Sequence, residues 1–169
     1  MNDATQPWTS AQLTTNLLQL EQLLHHDCFQ RAASFSSLTR TLFIELLGLE
    51  DQLLQQAQRA GKRIDFIEEV GTNGRIEDIS SLVHHMSQSV YDFEPEAASN
   101  TPNRQIITPY LNHFYGAGVG YFTNGLFFTC PYEDELTFFV GRNRVFFYRH
   151  LVRAFNEARS YFKSILLDE

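Results

Sequence analysis

The segment 35–59 constrains the fold most, because its apolar residues repeat with helical spacing on two adjacent faces. Both stripes advance by steps of three, four or seven, as residues on one face of a helix do. The first stripe is Leu38, Leu42, Leu46, Leu49 and Leu53, and the second is Phe43, Leu47 and Leu54. Roughly half of the helix circumference is then apolar, which is more than a one-sided surface helix needs. We therefore predict a central helix with neighbours on two sides, in which Leu46 and Leu49 are nearly fully buried.

One further helix is predicted before the central helix in the chain, and one after it. Upstream, Thr9 or Ser10 can cap a helix whose leucines at 13, 17, 20 and 24 form one stripe. Downstream, apolar residues at 76, 79, 83, 86 and 90 predict a helix over 75–91. Residues 1–8 are expected to form a flexible arm, and the polar residues 92–104, which include two prolines, an exposed loop.

The segment 110–148 predicts strands, because it contains more than half of the aromatic residues in the chain. Short strands are expected over 125–130, 135–140 and 144–148, and the last two are close enough to form an antiparallel hairpin. A final helix is expected over 149–167. The predicted fold is a single α+β domain over 1–169, a bundle of about four helices with a small antiparallel sheet inserted before the C-terminal helix.

The predicted sheet is apolar on both faces. Phe138 and Phe139 point in opposite directions along one strand, and Phe146 and Phe147 do so along the next. A sheet of this kind must be covered on both faces, and the helices can cover only one. The other face needs a second copy of the chain, a loop or a ligand. We favour a homo-oligomer that uses the aromatic sheet, with Phe139 or Phe147 in the interface.

The charge is distributed unevenly along the chain. The net charge is −7, but the segment 142–163 contains five arginines and one lysine against a single glutamate. Its exposed basic residues are expected to be Arg142, Arg149, Arg153 and Lys163. This surface can hold phosphates or an acidic protein partner, or it can pair with the acidic residues of 92–96 in the same chain or a second copy. The overall acidity argues against general nucleic-acid binding.

Three residues are candidates for chemistry: Glu50, His150 and Arg144. Glu50 falls between the two apolar stripes of the central helix, where burial raises the pKa of a carboxyl group. It can act as a general acid or base or contact a ligand; the alternatives are a structural ion pair with an arginine and a side chain that reaches water. The run Gly-Ala-Gly-Val-Gly at 116–120 lacks the spacing of a dinucleotide fingerprint, so we predict a hairpin or bulge there.

The location and cofactors follow from simple counts. No apolar run approaches the roughly 18 residues that cross a bilayer, so no membrane association is expected. The two cysteines, Cys28 and Cys130, are far apart and lack metal-ligand spacing. We expect a reduced cytoplasmic protein without a disulfide, metal or cofactor.

Several segments resemble a family of uncharacterised bacterial proteins, some of which are encoded on mobile islands and in integron gene cassettes. The similar segments are Gly-Lys-Arg-Ile-Asp-Phe at 61–66, Gly-Arg-Ile-Glu-Asp-Ile at 74–79, and 138–158, which includes His-Leu-Val-Arg-Ala-Phe at 150–155. The chain also faintly resembles HEPN ribonucleases, since Arg144 and His150 have their arginine-to-histidine interval. The Arg-Asn and His positions of that motif at the end of the third helix are here Ser87, Gln88 and Asp92.

Two classes of function are consistent with these patterns. The favoured one is a non-enzymatic interaction module, a self-associating accessory protein. The alternative is a protein that acts on a small molecule or nucleotide in a pocket lined by sheet aromatics, with Glu50 or His150 in it. The resemblance to HEPN ribonucleases adds a further alternative, a degenerate HEPN-like RNA-binding protein. A convergent pocket would favour the small-molecule alternative.

Overall fold

The computed structural model describes residues 6–30, 36–91 and 111–167, in which four α-helices and two antiparallel sheets form. The helices are α1 (Ser10–Leu24), α2 (Ser37–Arg59), α3 (Ile79–Tyr91) and α4 (Arg153–Leu167). The strands are β1 (Leu111–Tyr115), β2 (Gly118–Tyr121), β3 (Phe127–Cys130), β4 (Leu136–Val140) and β5 (Asn143–Phe146). A 3₁₀ turn (Asp27–Phe29) follows α1, and a π-helical segment (Phe147–Val152) precedes α4. The predicted α+β class, with the strands before the last helix, is confirmed.

Helix α2 is the central helix, as its two apolar stripes predicted. It packs against α1, α3 and α4, and its side chains also contact the sheet. Leu46 is fully buried, but the prediction for Leu49 is wrong, because its side chain lies at the border of the core and is only half-buried. The ring of Phe43 stacks on Phe138 of β4 with 3.8 Å between ring centroids. This contact joins the helices to the sheet.

The start of the described chain is anchored to α2. Thr9 caps α1 in a reciprocal capping box with Gln12, as expected for a helix beginning here. The Trp8 N–H donates to Gln56 of α2 at 3.1 Å, and the Gln56 amide donates to the Gln6 carbonyl at 3.0 Å. Within the expected flexible arm, Gln6 and Trp8 are therefore hydrogen-bonded to α2. The rest of that arm, residues 1–5, and the expected loop 92–104 lie outside the described residues.

Helix α3 begins at Ile79, four residues later than predicted. Ile76 is buried as the apolar period required, but its N–H bonds to the side chain of Asn73 in a turn. Asp78 and Ser81 then exchange side-chain and backbone hydrogen bonds of 2.8 and 3.0 Å. Asp78 therefore caps the first N–H groups from outside the helix, and the helix starts at Ile79.

The sheets contain two strands that the sequence analysis did not assign, β1 and β2. One sheet has the order β1-β4-β5, with Tyr115 opposite Leu136 and Thr137 opposite Phe146. The predicted hairpin of the last two strands is present as β4 and β5. The second sheet is the hairpin β2–β3, in which Tyr121 pairs with Phe127.

The β2–β3 hairpin covers the sheet face that the helices leave open. Phe138 points into the main core, whereas Phe139 packs with Phe128 and Cys130 in a second small core. Phe139 is 4% exposed and Phe147 is fully buried against Phe29. The expectation that either residue lies on an uncovered face is wrong, because the β2–β3 hairpin covers Phe139 and Phe147 packs into the main core.

Gly118 explains much of the glycine run at 116–120. A Cβ atom added at this position would lie 2.6 Å from the ring of Phe114 on β1. The chain turns sharply from β1 to β2 here, and Gly116 has the positive φ of 91° that such a corner needs. The run is therefore a tight corner between the two sheets, over which an aromatic ring packs.

The C-terminal helical region begins with the π-helical segment rather than with α4 at residue 149. Glu135 is almost fully buried and accepts hydrogen bonds from the N–H groups of Tyr148 and Arg149 at 2.8 and 3.1 Å. A carboxylate at a helix N-terminus satisfies free N–H groups and faces the positive end of the helix dipole. Glu135 thereby fixes the direction of this helix relative to β4.

Candidate functional site

A cleft of about 650 Å³ lies on the side of the molecule where the small sheet meets the connection between α2 and α3. Three segments border it, 69–73, 125–129 and 142–144, and the buried side chains of Leu82 and Phe139 complete its lining. The volume is in the range of small-molecule sites. Aromatic and basic side chains both line this cleft.

One part of the cleft lining is aromatic. Phe128 and Phe139 are 8% and 4% exposed and contact each other edge to face, with ring centroids 6.2 Å apart. Phe127 is 54% exposed, which is unusual for a phenylalanine side chain beside a formed cleft. These side chains provide an apolar surface on which a planar or branched group can pack.

Arg144 provides the main fixed positive charge of the cleft. Its Nη1 donates to the carbonyl of Thr129 at 2.9 Å, and its guanidinium lies 4.6 Å from the ring centroid of Phe146. Its Nη2 donates to Glu69 at 3.3 Å. The arginine is therefore held by the backbone and by an aromatic ring in addition to its acidic partner. This predicted site residue does lie in the cleft.

Glu69 lies opposite Arg144 in an unusual backbone conformation. It is the third residue of a turn closed by a hydrogen bond from the Val70 N–H to the Ile67 carbonyl, and its φ is 61°. Glycine or asparagine normally occupies such a position, and a glutamate there costs about 1–2 kcal/mol. The phenolic O–H of Tyr132 donates to its carboxylate at 3.1 Å. The sequence analysis missed Glu69, because a glutamate gives no signal for a left-handed turn.

His150 holds the turn at 67–70 through a hydrogen bond and is not available for catalysis. Its Nε2–H donates to the Glu68 carbonyl at 2.9 Å, and its Nδ1 accepts the Phe146 N–H at 3.1 Å. Burial lowers the pKa of His150 from 6.5 to about 4, since the charged form would lose its hydration. Both ring nitrogens are engaged and only 1% of the residue is exposed. This candidate for catalysis is a structural histidine, which positions the chain beside Glu69.

Arg149 is paired within the chain. Its guanidinium donates to Glu135 at 2.9 Å and to Asp134 at 3.1 Å, and it lies 3.6 Å from the ring centroid of Tyr132. The side chain of Tyr132 is in turn fixed between Arg149 and the ring of Phe146, 5.4 Å away. Arg149 therefore holds the ring of Tyr132, whose O–H bonds to Glu69 of the cleft lining.

Arg153 is paired in the same manner. It donates to Glu157 at 2.9 Å and to Glu68 at 3.3 Å, and its guanidinium lies 3.8 Å from the ring centroid of Phe66. The acidic residues that neutralise the predicted basic surface thus come from the turn at 68–69, from 134–135 and from α4 itself. The residues 92–96, which were expected to provide them, lie outside the described part of the chain.

Two of the predicted basic residues stay exposed. Arg142 follows Gly141 in the tight turn of the β4–β5 hairpin and lines the cleft, whereas Lys163 lies on the outer face of α4. Neither forms a salt bridge with the residues that the structure describes. Arg142 is therefore the cation of the cleft that is open to a ligand.

Glu50 is not part of the cleft. It is fully buried in α2, and neither carboxylate oxygen has a hydrogen-bond partner among the described residues. Burial raises the pKa of Glu50 well above its usual value of 4.5. Both structural alternatives offered for Glu50, an ion pair with an arginine and a side chain reaching water, are wrong.

An acid–histidine pair between α2 and α3 escaped the sequence analysis. Asp51 is 5% exposed, and both of its oxygens lie 3.1 Å from Nδ1 of His84. Gln55 donates to the same carboxylate at 3.0 Å. A small cavity of about 300 Å³ adjoins this pair. The two partners come from different helices, and sequence spacing along α3 alone does not show such a pair.

The structure thus assembles Arg142, Arg144 and Phe139 of the predicted site residues in one cleft and places the others elsewhere. In the described part of the chain, no three side chains of the metal-binding types converge, and no helix has the length and apolar character to cross a membrane. No family model, curated protein or solved structure matches the chain. The resemblance to cassette-encoded proteins and HEPN ribonucleases stays a prediction.

Proposed function

We propose that this protein is a non-catalytic binding protein whose cleft holds a small molecule with an apolar, preferably aromatic, body and an acidic group. The observation that carries the proposal is the combination of phenylalanine side chains and arginines in one preformed cleft of about 650 Å³. Arg142 is the clearest sign, since it is exposed and lines the cleft, and Phe127 extends the apolar lining toward the outer face of the β2–β3 hairpin.

The chemistry of the lining defines the ligand. An apolar body can remove Phe127 and part of Phe128 from water, and burying apolar surface contributes about 25 cal/mol per Å². An acidic group can accept hydrogen bonds from the guanidinium of Arg142, which are stronger than bonds between neutral groups. A ligand that has only one of these two features uses half of the site.

The positions of the catalytic candidates support binding rather than catalysis. Glu50 is buried in the helical core and His150 has both ring nitrogens bonded to the backbone. A general acid or base must reach the proton that it transfers. Of the three candidates, Arg144 is the one that lines the cleft, and an arginine fixed in this way binds and orients an anion.

The test uses anilinonaphthalene sulfonate, which carries an aromatic body and an anionic group, and N-phenylnaphthylamine, its neutral counterpart. The fluorescence of both dyes rises in apolar surroundings. We expect Arg142→Gln to weaken binding of the sulfonate about tenfold, which corresponds to about 1.4 kcal/mol, and to leave the neutral dye unchanged. Phe127→Ala should weaken both dyes.

Lys163→Gln is the matched control, because it removes the same charge from an exposed site outside the cleft. Circular dichroism shows whether each variant keeps its helices. If the sulfonate does not bind the native protein, or binds Arg142→Gln and native protein equally, the cleft does not hold acidic ligands and the proposal is wrong.

Self-association is a second candidate function, which the outer face of the β2–β3 hairpin favours. Val119, Tyr121 and Phe127 are 69%, 74% and 54% exposed, and they lie on neighbouring strands. A second copy can bury this patch, which replaces the sheet face first expected to form the interface. Sedimentation at micromolar concentration tests this: a dimer that Tyr121→Asp dissociates supports it, and a 19.5 kDa monomer contradicts it. For either function, we propose that the protein is located in the cytoplasm.

A further inference from the structure

We infer that Arg144, which lines the cleft, and Tyr132, which lies beside it, form a subsite for a carboxylate, and that the carboxylate of Glu69 occupies this subsite until a ligand carboxylate displaces it. The inference rests on the proposed function and names a carboxylate as the acidic group of its ligand; Arg142, which lines the same cleft, adds a further positive charge. Glu69 would thus set both the affinity and the selectivity of the cleft.

The two donors address the two oxygens of one carboxylate. Nη2 of Arg144 donates to Oε2 of Glu69 at 3.3 Å, and the O–H of Tyr132 donates to Oε1 at 3.1 Å. One donor for each oxygen is the arrangement that a carboxylate accepts without leaving an oxygen unpaired. A sulfonate or phosphate brings a third oxygen, which neither of these two hydrogen bonds engages.

Both donors stay in position when Glu69 leaves. Arg144 is held by the Thr129 carbonyl at 2.9 Å and by the ring of Phe146. Tyr132 is held between that same ring and the guanidinium of Arg149. The subsite is therefore preformed, which reduces the cost of ligand binding.

Glu69 itself is well suited to be displaced. Its side chain is 42% exposed and its backbone has a φ of 61°, so neither burial nor an intrinsic conformational preference fixes the carboxylate in the cleft. The Glu68 carbonyl is held by His150, which keeps the turn in place while the side chain of Glu69 can rotate toward water. The exchange of one carboxylate for another conserves the charge of the subsite.

The ligand class that follows is an aromatic carboxylic acid. Naphthoate is the probe, and its affinity is measured by displacement of anilinonaphthalene sulfonate from native protein, Glu69→Gln and Glu69→Asn. Asparagine tolerates positive φ, so the second variant removes the carboxylate without straining the turn. We expect both variants to bind naphthoate about tenfold more tightly, since a charge-assisted contact no longer has to be broken.

Glu68→Gln is the matched control. It removes the same charge one residue away, from a glutamate that pairs with Arg153 and does not line the cleft. We expect less than about a twofold change in that variant and no change for naphthamide, the neutral analogue, in any variant.

The outcomes separate the inference from the proposed function. Equal gains in the variants at 68 and 69 would show a general effect of charge and overturn the inference. Unchanged or weaker binding of naphthoate to both Glu69 variants would overturn it as well, while the proposed function would stand. If naphthoate and the sulfonate bind to none of these proteins, the proposed function fails and the inference fails with it.

Discussion

Glu50 gives the sharpest prediction for stability, because a fully buried carboxyl group without a hydrogen-bond partner reverses the usual effect of pH on an acid. Burial raises its pKa in the folded state well above 4.5, whereas in the unfolded chain the group titrates near its usual value. Between these two pKa values the folded protein binds one proton more than the unfolded chain at this residue. Raising the pH therefore favours unfolding.

The slope of this effect has a defined magnitude. With one proton more in the folded state, the free energy of unfolding falls by about 1.4 kcal/mol for each pH unit. The stabilising contribution is complete below the unfolded pKa and is lost as pH rises through the folded pKa. In a protein of this size, one pH unit corresponds to a decrease of about 3–6 °C in melting temperature.

Urea denaturation followed by circular dichroism, from about pH 5.5 to about pH 7.5, measures this slope in native protein and in Glu50→Gln. The difference between the two isolates Glu50 from all other titrating groups. Glu50→Met, which fills similar space without a polar atom, should be more stable than native protein by about 1–3 kcal/mol at neutral pH.

Asp51→Asn is the control, since Asp51 is a neighbouring buried acid that does have partners, His84 and Gln55. We expect this substitution to destabilise the protein. A difference between native protein and Glu50→Gln that does not change with pH would refute the interpretation, because Glu50 would then be ionised in the folded state.

Two other residues carry predictions of their own. His150 has a folded pKa of about 4, below its unfolded value of 6.5. Its contribution to stability should therefore be complete above pH 6.5, and the free energy of unfolding should fall by about 3 kcal/mol as the pH decreases to 4. The same dependence of stability on pH in His150→Gln would contradict this. Gly118→Ala places a Cβ 2.6 Å from the Phe114 ring and should cost about 1–3 kcal/mol in urea denaturation. Gly74→Ala, with nothing within 4 Å, should change stability little, and equal effects at both sites would argue against steric overlap at Gly118.

The helices were predictable because their information is local. The steps of three and four in α1 and α2 repeat over several turns, and Thr9 and Ser36 cap these helices with their own side chains. The start of α3 was not predictable, since the apolar period continues through Ile76 while the side chains of Asn73 and Asp78 accept hydrogen bonds from the backbone in a turn. Periodicity reports which face is buried, and it does not report where the backbone becomes helical.

The cleft was only partly predictable because its residues meet through long-range contacts. The sequence identified Arg144 as a candidate, but its partner Glu69 lies 75 positions away. The two-sided apolar pattern of β4 correctly required a cover on each face, yet composition does not reveal that the β2–β3 hairpin provides it. Similarly, the wheel position of Glu50 placed it between the two apolar stripes, but it showed neither that the side chain is fully buried nor that it lacks a partner.

The proposed binding of an aromatic carboxylate is tested most directly by titrating isotope-labelled protein with naphthoate and following the backbone amide resonances by NMR. The proposal predicts the largest shifts in the segments 69–73, 125–129 and 142–144, which border the cleft. It also predicts that these shifts weaken together in Arg142→Gln. Shifts that cluster on α4 or along α1, or the absence of shifts at millimolar naphthoate, would contradict it.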